Sequence, residues 1–87
     1  MLFPKFIIYK DELIIGRVEF HHELVPDNII DDSKIKGGGF FMINREEKTV
    51  MFYGVSTAFG PFCRETLREC ELPEKLSGYT KLIKEDY

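Results

Sequence analysis

The sequence predicts an α+β fold, with a mixed, mostly antiparallel β-sheet of about five or six strands flanked by one or two helices. Three observations lead there. Short runs rich in β-branched and aromatic residues recur with few polar residues between them, as in Lys5–Lys10, Leu13–His21, Phe40–Asn44 and Thr49–Tyr53. One segment, after Gly60-Pro61, carries apolar residues at helical rather than alternating spacing. The length of 87 residues, 44% of them hydrophobic with eight Phe and four Tyr, suits one compact core and leaves no room for two. Residues 1–87 are expected to form a single domain.

The charge balance narrows the partners. The formal net charge of −3 and the absence of a strongly basic stretch argue against nucleic acid, though not against a local positive pocket. The N-terminal stretch lacks the basic start and sustained apolar run of a signal peptide, and no window approaches the roughly 18 apolar residues needed to cross a bilayer. Cys63 and Cys70 lie on one helical segment with about 10 Å of rise between them, too far for a disulfide. Two free thiols used as core fillers suit a reducing cytoplasm, the expected location.

In chain order, Lys5–Lys10 reads as a strand and Asp11-Glu12 as a short turn. Leu13–His21 reads as a second strand paired antiparallel to the first. Its alternation sets Val18 and Phe20 on one face and Arg17, Glu19 and His21 on the other. His22–Val25 begins a short helix that Pro26 interrupts, and Asp31–Lys36 reads as a solvated connection. Gly37-Gly38-Gly39 marks positive φ or a close backbone approach. Phe40–Asn44, the charged turn Arg45–Lys48 and Thr49–Tyr53 then form a hairpin. Pro61 is expected at the first position of a helix that buries Cys63, Thr66, Leu67 and Cys70 and ends at Pro73. Tyr79–Ile83 supplies a last strand.

Few arrangements of reactive residues present themselves. With two histidines and no CxxC or HExxH spacing, a structural zinc site is not indicated, and neither GxSxG nor a P-loop occurs. Asp31-Asp32 reads as solvent-exposed charge. What remains is the hairpin's exit loop, Gly54-Val55-Ser56-Thr57-Ala58-Phe59-Gly60-Pro61, which offers backbone N–H groups and hydroxyls beside a helix start. His21 is the candidate to act on a phosphoryl group held there, because a neutral imidazole can accept a proton from water or take the phosphoryl group itself. Ser56, Thr57 and Ala58, with Lys5 from the first strand, would bind the phosphoryl oxygens. By pattern alone, a strand-end histidine is more often structural than catalytic, and a triple glycine more often a bulge than a ligand cradle.

The triple glycine and the run Lys48–Pro61 together resemble the hallmark of the phosphohistidine phosphatase (Janus/Ocnus) family: a triple glycine, a strand, then Tyr-Gly-x-Ser-x-Ala-Tyr-Gly-Pro. Val18-Glu19-Phe20-His21 resembles the family's Glu-aromatic-His, whose His is catalytic. Pro4-Lys5-Phe6-Ile7-Ile8 resembles the first-strand run whose Lys contacts phosphate. The likeness covers nearly the whole chain in the same order, with a shorter connection between His and glycines. It implies a mixed sheet flanked by helices and a cofactor-free, metal-independent phosphatase that cleaves the P–N bond of protein phosphohistidine. By carry-over, His21 is general base or nucleophile, while Ser56 and the backbone around Thr57 and Ala58, with Gly54 in support, hold the oxygens beside Lys5.

Two departures weigh on that reading. The family's arginine after the triple glycine is Phe40 here, and another, early in the His-bearing strand, falls at Leu13. A guanidinium fork is the usual device for holding phosphate, and strand parity offers Arg17 as its replacement. The alternative to an enzyme is therefore a non-catalytic module on the same fold that binds a phosphorylated or anionic protein partner.

Overall fold

The computed structural model describes residues 2–25 and 34–84. Its single sheet has five strands in the order β2-β1-β3-β4-β5: β1 (Phe3–Tyr9), β2 (Glu12–Val18), β3 (Ile35–Asn44), β4 (Thr49–Tyr53) and β5 (Thr80–Ile83). The first three pairings are antiparallel and β4–β5 is parallel, so the sheet is mixed. Among the described residues, one α-helix, α1 (Arg64–Glu69), and the 3₁₀ turns η1 (His21–Leu24) and η2 (Glu74–Leu76) accompany the sheet in an α+β architecture.

Local chemistry accounts for the two hairpins. The β1–β2 turn is two residues long, because Tyr9 pairs with Glu12, and Lys10 takes φ +54° to close it. In the β3–β4 turn the Asn44 side-chain oxygen accepts the N–H groups of Glu46 and Glu47 at 3.1 Å each. An Asn at this place mimics a backbone turn and fixes the register that pairs Asn44 with Thr49. The parallel β4–β5 pair needs a crossover, which the 54–61 loop and α1 provide. The Lys81 ammonium of β5 donates to the carbonyls of Leu67, Arg68 and Cys70, at the C-terminal end of α1. A cation there complements the helix dipole and ties the crossover to the last strand.

The sheet has two unlike faces. On the α1 side, Phe6, Ile8, Phe41, Val50 and Phe52 pack with Phe62, Leu67, Cys70 and Leu76. Phe6 sits at the centre, with edge-on contacts to Phe52 and Phe62 at 5.0 and 5.1 Å between ring centres. On the other side, Ile7 packs with Leu24 of η1, Ile35 and the partly buried Phe59 of the 54–61 loop. Burying aromatic rings on one face and a thin layer on the other leaves the second face for η1 and the loop to cover.

Several expectations need correction. The second strand stops at Val18, and His21 opens η1 instead of ending the strand. The third strand starts at Ile35, so the triple glycine lies within it. Helix α1 begins at Arg64, which leaves Pro61 three residues ahead of its first turn. Cys63 sits at the N-cap position and is exposed, so only Cys70 fills the core. Six helical residues present a single buried side chain, Leu67, and the helical spacing of Cys63 had assumed an earlier start. Asp31-Asp32 and Pro26 lie outside the described residues. Among the described residues no helix is long and apolar enough to cross a membrane.

Candidate functional site

The face opposite α1 brings Lys5, His21, Phe40 and the 54–58 loop together. β1 and β3 place Lys5 and Phe40 directly across from one another, and both alternate away from Phe6 and Phe41. After Val18 the chain turns over that face, and η1 carries His21 down onto β3. His21 is only 4% exposed. Its Nε2 lies 2.7 Å from the Gly39 carbonyl oxygen. A carbonyl only accepts, so Nε2 carries the proton and donates, and in the neutral ring Nδ1 keeps its lone pair.

Burial pulls the His21 imidazole below its ordinary value of 6.5. The Gly39 carbonyl opposes that shift, and the nearby Lys5 ammonium adds to it. The ring is therefore neutral around pH 7 and able to accept a proton. Its edge meets the Phe40 ring, 5.5 Å away between centres and inclined at 71°.

Lys5 is held in an aromatic setting. Its ammonium donates to the Glu19 carbonyl and lies 5.8, 6.0 and 5.8 Å from the ring centres of Phe3, Phe20 and Phe40. Phe20 itself is 54% exposed, so this cluster opens to solvent. Three ring faces and one carbonyl stabilise a charge that is otherwise largely removed from water.

The triple glycine serves to seat the exit loop. A Cβ on Gly38 would come within 2.4 Å of the Phe6 carbonyl oxygen, and one on Gly39 within 2.5 Å of that of Tyr53. Side chains there would push β3 away from its neighbours. The space they leave lets the loop lie on β3, with Ser56 N–H donating to Gly38 O at 3.0 Å and Gly38 N–H to Gly60 O at 3.2 Å. Gly54 takes φ +76°, and the Phe40 ring lies against it.

The loop residues divide by environment. Ser56 is 1% exposed, and its hydroxyl oxygen accepts the Phe59 N–H at 3.1 Å. With its N–H also engaged, Ser56 closes the turn from a buried position. Thr57 and Ala58 are exposed, and their N–H groups make no hydrogen bond with the described residues. Backbone donors of this kind suit an anion.

Arg17 does not join the group. It pairs with Pro4, one step out of phase with the Lys5–Gly16 pair, and so projects from the α1 face. Parity counted back from His21 placed it wrongly, because the chain leaves the strand at Val18. Leu13 belongs to the main core and brings no charge either. The role of Phe40 was hidden in the sequence: what looked like a missing arginine is a ring packed between His21, Lys5 and Gly54. The Gly39 acceptor was likewise invisible, although the β1–β3 register, once known, brings Gly39 beside Phe6 and Lys5 beside Phe40.

Comparisons with protein-family models, with characterised proteins and with solved structures find no match to this chain.

Proposed function

We propose that this domain is a metal-independent phosphatase that hydrolyses the P–N bond of protein phosphohistidine, with His21 as its reactive group. The observation that carries the reading is the hydrogen bond from His21 Nε2 to the Gly39 carbonyl. It fixes the ring and leaves Nδ1 as the basic nitrogen, in a site whose burial keeps the imidazole neutral.

In this reading the phosphoryl group sits between Lys5 and the loop, with the exposed Thr57 and Ala58 N–H groups donating to its oxygens and the buried Ser56 holding the turn that presents them. Water attacks phosphorus opposite the substrate's imidazole while Nδ1 of His21 takes the water's proton, and the P–N bond breaks with the substrate ring, already protonated on its other nitrogen, leaving as neutral imidazole. Direct attack by Nδ1 is the other route, and it would leave a phosphorylated His21 that water then cleaves. Trapping a phosphorylated His21 after rapid quench separates the two.

The test is phosphate release from a phosphohistidine peptide without added metal. Wild type should release phosphate, and His21→Ala should not. His21→Asn can still donate to Gly39 but has no basic nitrogen, and it too should be inactive while melting near wild type. Equal release by wild type and His21→Asn refutes the reading.

One observation favours a second reading. Phe40 stands beside His21 where a guanidinium would grip phosphate, and His21 is almost fully covered. A non-catalytic module holding a phosphorylated or anionic protein partner against Lys5 and the exposed Phe3 and Phe20 accounts for that. It requires binding of the phosphopeptide with no turnover, and loss of that binding in Lys5→Met.

A further inference from the structure

On the α1 face, at the end of the sheet where β1 begins, Ile15, Phe41, Ile43 and Leu76 line a cleft of about 470 Å3. That volume lies within the range of about 300–1,000 Å3 in which small-molecule sites fall. Arg17 from β2, Arg45 from the β3–β4 turn and Lys75 from η2 also line it. Among the described residues no aspartate or glutamate does. The chain as a whole has 15 acidic and 12 basic residues, so this cleft is locally opposite in sign to the molecule that carries it. Among the described residues, the one salt bridge joins Lys36 to Asp11, and none of the three cleft cations makes an ion pair or a hydrogen bond.

We infer that this cleft binds a small anion with an apolar body, an aryl carboxylate or aryl phosphate, its ring on the aliphatic and aromatic floor and its charged head between Arg17, Arg45 and Lys75. The two halves of the argument are independent. An apolar floor at the mouth of a core favours an apolar body but is indifferent to charge. Three cations from three separate elements, without an ion pair among the described residues, favour an anion, and an arginine fork matches carboxylate and phosphate alike. Inorganic phosphate alone would leave the floor unused. The site shares no residue with the Lys5–His21 group, its nearest link being Tyr53, which lines the cleft and packs against Phe40, and it does not depend on the reading of that group.

The experiment is an NMR titration of the ¹⁵N-labelled protein with 1-naphthoate, 1-naphthyl phosphate, 1-naphthalenemethanol and inorganic phosphate. At least one of the two naphthyl anions should saturably shift the amides of Ile15, Phe41, Ile43 and Leu76. The tighter of the two identifies the preferred head group. The neutral alcohol and inorganic phosphate should each bind about tenfold or more weakly, and Arg17→Gln combined with Arg45→Gln should weaken the anion by about tenfold or more. Both arginines are exposed, so the pair can be removed with the fold intact, which the spectrum itself reports. His21→Asn should bind the anion as wild type does, so failure of the phosphatase reading leaves this result standing. Shifts centred on Lys5, His21 and Thr57, equal binding of the alcohol, or unchanged affinity in the double variant would each overturn the inference.

Discussion

Replacing Gly37 with alanine tests how the exit loop is seated. Gly37 has φ +102°, and a Cβ built there would lie 2.1 Å from the Pro61 carbonyl oxygen, 2.7 Å from its carbon and 3.0 Å from Phe62 Cα. All three are backbone atoms, so no rotamer change relieves the contact. Two costs follow. Holding a side chain at this φ costs about 1–3 kcal/mol, and overpacking against fixed neighbours costs about 1–3 kcal/mol more. The sum, about 2–6 kcal/mol, is a large share of the roughly 4–13 kcal/mol expected for a domain of this length. Gly78 supplies the control, because it has a similar φ of +88° but nothing within 4 Å of its Cβ direction. Gly78→Ala therefore bears the backbone term alone. Urea denaturation followed by far-UV circular dichroism measures both. Gly37→Ala should lose about 1–3 kcal/mol more than Gly78→Ala, the steric term by itself. If the two variants lose the same, Pro61 does not press on β3, and the account of the triple glycine is wrong.

Three further outcomes are expected. His21 has a pKa in the folded protein below its unfolded value of 6.5, so the unfolded chain binds the extra proton first. The stability gained from the neutral ring is complete above pH 6.5 and lost as pH falls through the folded value; His21→Asn should flatten that slope in a pH series of urea melts, and an unchanged slope would assign it elsewhere. The exposed Cys63 thiol is pulled below its ordinary range, first by the Thr66 N–H and then by its hydroxyl, whereas burial pushes Cys70 up, with its thiol donating to the Asp11 carbonyl at 3.3 Å. Iodoacetamide near pH 8 should label Cys63 first and Cys70 only on unfolding, read by peptide mass spectrometry, and equal labelling would contradict their placement. In the proposed phosphopeptide reading, Phe40→Arg places a guanidinium beside Lys5 and Gly54 and should tighten phosphopeptide binding by about tenfold or more in calorimetry; weaker binding would mean that the ring, not the charge, makes the contact.

Much of the fold was legible because it rests on local chemistry. Runs of β-branched and aromatic residues separated by polar turns pointed to all five strands, the last at Tyr79–Ile83, and the charged residues after Asn44 marked the second hairpin. Boundaries went wrong where tertiary contacts override local preference. The three glycines marked a close backbone approach, which β1 and β4 make, but the apolar run suggested a strand start after them, whereas β3 begins at Ile35 and runs through them. The helical spacing of Cys63 and Leu67 suggested a longer helix, but the chain from Pro61 to Cys63 stays extended to carry Phe62 into the core.

The site was legible in part for the same reason. His21, Lys5 and the loop stood out as residue types suited to an anion, and the sheet register brings Lys5, Phe40 and Gly39 to the same end of one face. By itself the sequence determined the α+β class and the tight loop after β4, because these follow from composition, alternation and glycine placement. Only the tertiary structure decided that His21 leaves the strand to donate to Gly39, that Phe40 fills the space beside it, and that Arg17 faces the opposite cleft. In a strand, a shift of one residue in where the alternation ends sends a side chain through the sheet, and that count is set by packing across strands rather than by any residue in the strand itself.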